Sequence, residues 1–469
     1  MSFGRAHPAR SLRTAGFFAA ESQNETLPVL HSPVSQSELV YETGGNLGKK
    51  RFWTRLGIAV TFVVTLFCFQ NCGQGFGPLS GSVDNSSQTQ STPGPDPGPN
   101  PSPSPMPTPA PTSTPIVAEA PVSARGYHAC AVNAQNSAVC WGANNFGQLG
   151  NGSTATSNTP TIVAGLQGVK QVSTGAYHSC AITAQDTVVC WGGNPYGQLG
   201  NGATTSSFNP VAVTGLQNVK ALASSYYHTC ALTNLGAVYC WGGTFDSLNV
   251  TSVIVLSSTP VLMAGLQGAK SLEGGYMHFC AITGQDAVVC WGNNVSGQLG
   301  NGTNTNSNSP VAVTGLQGIK QITVGSIHSC ALTSQNTAVC WGNISGQFQF
   351  PAETRATLPM SVAGLSAIKQ LRAGELHTCA ITAQDTVVCS GANSRGQLGN
   401  GTFVASSAPV AVSNLTGIKK LFSGAFNSCG VNTLNAVYCW GYNLSGQLGN
   451  GGTVNSSLPI LLSGVAVKN

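Results

Sequence analysis

Cysteine measures out this chain. From Cys130 it recurs at Cys180, Cys230, Cys280, Cys330, Cys379 and Cys429, in steps of 50, 50, 50, 50, 49 and 50 residues. Each has a partner ten positions on, at Cys140, Cys190, Cys240, Cys290, Cys340, Cys389 and Cys439. A fixed period near 50 residues marks a propeller or a solenoid, in which one small unit buries its apolar faces only against its neighbours. Residues 121–469 divide into seven such units.

The second unit reads as an apolar stretch Thr161–Leu166 after Pro160, then Gly168–Val172, Tyr177–Thr183 and Thr187–Gly192. Gly197-Gln198-Leu199-Gly200-Asn201-Gly202 follows. These segments are short, rich in β-branched residues and bounded by Gly, Asn and Pro, so they predict about four strands per unit. No window carries a helical period. Four short strands repeated seven times predict an all-β, seven-bladed propeller.

The turn between paired cysteines can be derived. A three-residue hairpin loop takes a type I turn followed by a left-handed residue. Asn, Asp and Gly tolerate that conformation best. The third loop positions are Asn136, Asp186, Gly236, Asp286, Asn336, Asp385 and Asn435. This register pairs Thr233 with Ala237 and, three steps out, Cys230 with Cys240 at a non-hydrogen-bonded position, where Cα atoms approach to about 4.5 Å. That is within disulfide range. Seven within-blade disulfides are expected, each with a ceiling of roughly 2–3 kcal/mol from chain entropy. The alternative is reduced cysteine pairs packed as small apolar groups.

Composition narrows the function. Charged residues are only 7% of the chain and the net charge is +5. Seven of the 19 basic and four of the 14 acidic residues precede Cys72, so the remainder carries 12 against 10, or +2. So small an excess predicts no nucleic-acid footprint. A hydrophobic share of 41% is ample for a core and excludes a wholly disordered chain.

The first quarter reads as export and spacing. Residues 1–48 show no periodicity and read as a disordered or mis-started extension; translation from a non-AUG codon near Val40 or Leu47 would explain them. Residues 49–72 read as a signal peptide or membrane anchor. Lys49-Lys50-Arg51 and Arg55 precede an uncharged run from Leu56 to Phe69, then Cys72. A run that short fits a signal peptide better than a membrane span. A cysteine directly after it resembles the bacterial lipoprotein signal, which implies lipidation of Cys72 as the mature N-terminus. Phe69-Gln70-Asn71 departs from that pattern, and an uncleaved anchor from Trp53 to Cys72 stays open. Either way the expected location is the bacterial cell envelope, outside the cytoplasm and tethered to a membrane. Residues 73–120 are a Pro-, Ser- and Thr-rich linker, extended by its prolines into a semi-rigid stalk.

The pattern H-x-C-A-[LI]-T-x-x-[GDN]-x-V-x-C-W-G-x-N-x-x-G-Q-L-G-N-G resembles the regulator of chromosome condensation repeat, over about three quarters of the chain. The resemblance implies a seven-bladed propeller. It settles function much less, since fold does not imply function. Members include a nuclear exchange factor for a small GTPase, a plant ultraviolet-B photoreceptor, parts of ubiquitin ligases and secreted bacterial proteins, one type of which inhibits β-lactamases. The surplus C-terminal stretch Pro459–Val465 is expected to complete the first blade and tie the chain ends together.

Catalytic signals are weak. His128, His178, His228, His278, His328 and His377, with Asn427 in the seventh place, lack zinc spacing and read as structural hydrogen-bonding groups. Trp141, Trp191, Trp241, Trp291, Trp341 and Trp440 follow the second cysteine and read as blade packing; Ser390 replaces the sixth-unit tryptophan. Gly-Gln-Leu-Gly-Asn-Gly has no lysine and is not a phosphate loop. No enzyme, cofactor or metal is expected. Departures from the repeat say more: Phe245 and Asp246 in the third unit, and Phe348, Phe350 and Arg355 in the fifth. Residues two before the repeat histidine also vary: Gly126, Ala176, Tyr226, Tyr276, Ser326, Glu375 and Ala425. First and third connections of a blade share a face, so Tyr226, Tyr276, Glu375, Phe245, Asp246, Phe348, Phe350 and Arg355 are candidates for one partner-binding rim; loop drift is the alternative. The expected molecule is a monomeric, exported propeller binding a protein or cell-surface macromolecule. An inhibitor of an exported enzyme and a GTPase exchange factor are the alternatives.

Overall fold

The computed structural model describes residues 122–245, 253–351, 353–363 and 365–467. The signal segment, Cys72, the linker and Asp246 lie outside the described residues. Seven four-stranded antiparallel sheets follow one another along the chain, each a simple meander. Blade one runs from Val122 to Ile162, blade two from Gln171 to Ala212, and blade seven from Ile418 to Ala466. The first strands of successive blades touch in a closed circle, blade seven against blade one included, and line the axis.

Each strand's position explains its composition. The second strand, such as His128–Val132, is buried at every residue because neighbouring blades cover both faces. The fourth strand, such as Ser157–Ile162, is partly exposed and forms the outer edge. All seven outer strands contain a proline: Pro160, Pro210, Pro260, Pro310, Pro359, Pro409 and Pro459. Proline has no amide to donate, so it is tolerated at an edge and blunts that edge against further pairing.

The hairpins adopt the expected register. Cys130 pairs with Cys140 and Cys230 with Cys240 across the central strands. Thr233 N donates to Ala237 O, and Asn136, Asp186, Gly236, Asp286, Asn336, Asp385 and Asn435 all have positive φ. All seven disulfides are formed, with Cα atoms 4.0–4.1 Å apart, closer than the sequence argument gave.

Ring closure differs from expectation. Ser456–Ala466 is the outer strand of blade seven, pairing Cys439 with Ile460 and Tyr438 with Leu461. It does not complete blade one, whose four strands are all its own. Blade one therefore starts at Val122, and the stretch after each proline ends a blade. Closure comes from an ordinary seam: Trp141 Nε1 donates to Gln447 O at 2.8 Å and Gly451 N to Asn158 O at 2.9 Å. Asn133 of blade one also forms an isolated antiparallel bridge with Val467 near the C-terminus.

Candidate functional site

Most of the repeat signature is consumed by blade seams. His128 Nε2 meets Ser179 Oγ of the next blade at 2.8 Å, and that hydroxyl donates to Gln148 O at 2.9 Å. Trp191 Nε1 donates to the same carbonyl at 2.9 Å. The motif repeats at His178–Thr229, His278–Ser329, His328–Thr378 and His377–Ser428. Burial drives the histidines down to a pKa of about 3 or 4, so they are neutral. Among the described residues no group of metal-binding side chains forms. The glycine-rich loop serves the same seam. Asn144 ties it with bonds to Ser153 O and Ala155 O, and any Cβ at Gly150 would lie 2.6 Å from Trp191 Nε1.

Departures in units three and five are also answered across seams. Phe279 stands where the next blade supplies Ser or Thr, so His228 Nε2 has no partner and its ring meets Phe279 edge-on. Phe279 stacks on Trp291, whose Nε1 is likewise unpaired. Phe348 is 2% exposed, packed in the core, and its amide donates to Ser390 Oγ at 2.8 Å. A larger residue in the loop thus accompanies the missing tryptophan of the next blade. Phe348 is no exposed anchor, which corrects the rim expectation for that side chain. Phe350 is partly buried against the same core, while Arg355 is exposed at the start of an outer strand. Phe245 ends the elongated third strand of blade three, paired with Val253.

The seven tip residues converge. Gly126, Ala176, Tyr226, Tyr276, Ser326, Glu375 and Ala425 all line one mouth of about 110 Å³ on the axis. Backbone bonds run around it: Tyr226 N to Tyr276 O, Tyr276 N to Gly325 O, Glu375 N to Ala425 O. Tyr226 packs 4.3 Å from Tyr276 and shares a 2.9 Å hydroxyl contact with Tyr177. Burial raises the Tyr226, Tyr227 and Tyr276 phenols, and it lifts Glu375 to about 7. The structure thus brings Tyr226, Tyr276 and Glu375 together and leaves Phe348, Phe350 and Arg355 away from the mouth.

Sequence reasoning missed the rest of this surface. Tyr177 touches Phe146 and Tyr227, and Tyr227 touches Tyr196, extending one aromatic arc. Tyr127 and Phe426 both meet Tyr442, over which Arg395 sits at 5.4 Å. The available signal was the residue just before the histidine place, aromatic at Tyr127, Tyr177, Tyr227 and Phe426.

A closed ring of seven disulfide-bonded blades, joined by histidine, hydroxyl and tryptophan bonds at its seams, defines a repeat-built β-propeller with an aromatic tip face. Two models described as "Regulator of chromosome condensation (RCC1) repeat" match it, one at residues 139–182, 185–232, 285–332 and 435–468 and the other in six segments between 122 and 447. The chain belongs to that family. No curated protein sequence matches it. Among solved structures, Prp20p from Saccharomyces cerevisiae, described with its binding to Gsp1p and histones, is similar at 22% identity and TM-score 0.63, over 69% of this chain and 85% of that one. Human WBSCR16 is similar at 17% identity and TM-score 0.61, over 69% and 93%. These likenesses establish the fold alone.

Proposed function

We propose that this is a non-enzymatic, exported and membrane-tethered propeller that binds a protein partner through its tip face. The convergence of Tyr226, Tyr276 and Glu375 on one axial mouth, inside an arc of further tyrosines, carries the reading. Large aromatic side chains with a polar end supply contact area at low conformational cost, and they dominate protein interfaces. Phe146 and Tyr127 are 43% and 36% exposed, so the arc presents aromatic surface beyond the mouth.

Export is supported by the seven disulfides, since such bonds persist in oxidising compartments and are rare in the cytosol. The signal-like run and Cys72 supply the tether in this reading, and the proline-rich linker supplies reach. Regulation of an exported enzyme is one form such binding could take. Exchange on a GTPase, which the repeat resemblance allows, is disfavoured by the same disulfides.

Affinity capture from the cell-envelope fraction tests the site. A partner held by the wild-type protein should lose about tenfold or more of its retention with Tyr226→Ala or Tyr276→Ala. Equal retention by both variants, with unfolding midpoints unchanged, would remove the mouth from the reading.

A further inference from the structure

Glu375 brings a carboxylate into the axial mouth, beside the aromatic side chains of Tyr127, Tyr226, Tyr276 and Phe426. Among the described residues it forms no side-chain ion pair and accepts no side-chain hydrogen bond. Its charge looks across the mouth. Burial raises the phenols of Tyr276 in blade four and Tyr127 in blade one, and the nearby Glu375 is among the charges that raise both further. Glu375 itself is lifted to about 7 by burial, whereas a carboxylate held beside a cation would be lowered.

The basic groups nearby are engaged elsewhere. Arg125 borders the mouth from the axial channel beneath it, where Glu273 attracts it and Arg372, itself 3.4 Å from Glu273, repels it. Arg395 lies over the Tyr442 ring, 5.4 Å from its centre.

Size and chemistry select the occupant. The mouth measures about 110 Å³, well below the roughly 300–1,000 Å³ of a drug-sized ligand site, so it admits one side-chain head group. Aromatic rings attract cations over their faces, as the Arg395–Tyr442 pair does on this same surface. A partner covering the tip face would also strip water from Glu375. An apolar or anionic group placed there would leave a carboxylate desolvated without counter-charge, whereas an ammonium or guanidinium would pair with it.

We infer that the mouth receives one lysine or arginine side chain of the protein partner, held by the Glu375 carboxylate among Tyr127, Tyr226, Tyr276 and Phe426. This anchor rests on the tip-face reading and gives the partner its chemistry. It is tested without the partner, so its failure is distinct from unchanged capture by Tyr226→Ala and Tyr276→Ala. Ligand-observed NMR titration of the full chain uses butylammonium, butylguanidinium and the neutral, isosteric butylurea. Saturable binding is expected at pH 8 for at least one cation, with butylurea weaker by about fivefold or more. Glu375→Gln should reduce cation binding to the butylurea level. Lowering the pH from 8 to 6 protonates Glu375 and should weaken binding of the cation several-fold in the wild type, with no change in Glu375→Gln. The surrounding groups hold their charge over that range: burial raises the Tyr127, Tyr226 and Tyr276 phenols, keeps His377 neutral with a pKa of about 3, and leaves Arg125 charged. Should Glu375→Gln lower the unfolding midpoint, the wild-type comparison of cation with butylurea decides. No saturable binding by either cation, equal binding of butylurea, or undiminished cation binding by a folded Glu375→Gln would overturn the anchor and leave the partner face standing.

Discussion

Six repeat histidines are buried and neutral. Each is a proton acceptor that the folded protein suppresses, with pKa values near 3 for His128, His178, His278 and His377 and near 4 for His228 and His328. In the unfolded chain the same groups titrate near 6.5. Between those values the unfolded state binds more protons, so stability is complete above about pH 6.5 and is lost as pH falls toward 4 and 3. Glu375 runs the other way: raised to about 7, its contribution is present below its unfolded value and lost as pH rises through 7. Unfolding at pH 5 with disulfides intact should therefore place about six protons on the histidines and release about one from Glu375, a net uptake near five. Calorimetry in buffers of different ionisation enthalpy measures this; an uptake near zero would contradict the buried-neutral assignment. The structural role of these histidines was legible in their spacing. Their hydroxyl partners were not, because Ser179 or Thr229 sits one blade, 51 residues, away. The exceptions confirm the pairing: Asn427 replaces histidine where the next blade offers Ala129, and His228 is unpaired where it offers Phe279.

Blades communicate through seams, and the fifth seam is rebuilt. Phe348 fills space beside Ser390, where other blades set a small loop against a tryptophan. Its backbone follows: Phe348 and Gln349 both have positive φ. Ser390→Trp alone should overpack this seam and destabilise by about 1–3 kcal/mol. Adding Phe348→Leu should recover part of that loss, giving a coupling above about 0.5 kcal/mol in urea-unfolding cycles. Additive effects would sink the compensation argument. Most elements were readable, from the hairpin register to the left-handed turn residues. Blade boundaries were not, because the loop between third and fourth strands, 14 residues in blade one against eight between blades one and two, looks like a boundary. The proline in each outer strand was the missed cue, since such a residue belongs at an edge. The same error sent Pro459–Val465 to blade one. Rim residues were half legible: a variable position is visible in sequence, but whether it faces the axis or the core, as Tyr226 and Phe348 do respectively, depends on the neighbouring blade.

At the scale of the molecule, the ring has two unlike ends. One carries the tyrosine arc around Tyr226 and Tyr276; the other opens among lysines. Strand one enters at Val122 on the lysine side and turns at the tip after Arg125. The seven disulfides each close a local hairpin, leaving ring closure to seam packing between blades seven and one. In the proposed function the propeller is exported, tethered and held by these bonds. Intact mass of protein purified from its native membrane, alkylated with and without prior reduction, tests it most directly. The expected result is an acylated chain beginning at Cys72 whose 14 propeller cysteines are alkylated only after reduction. An unprocessed chain with freely alkylated cysteines would contradict it and return the GTPase reading to consideration.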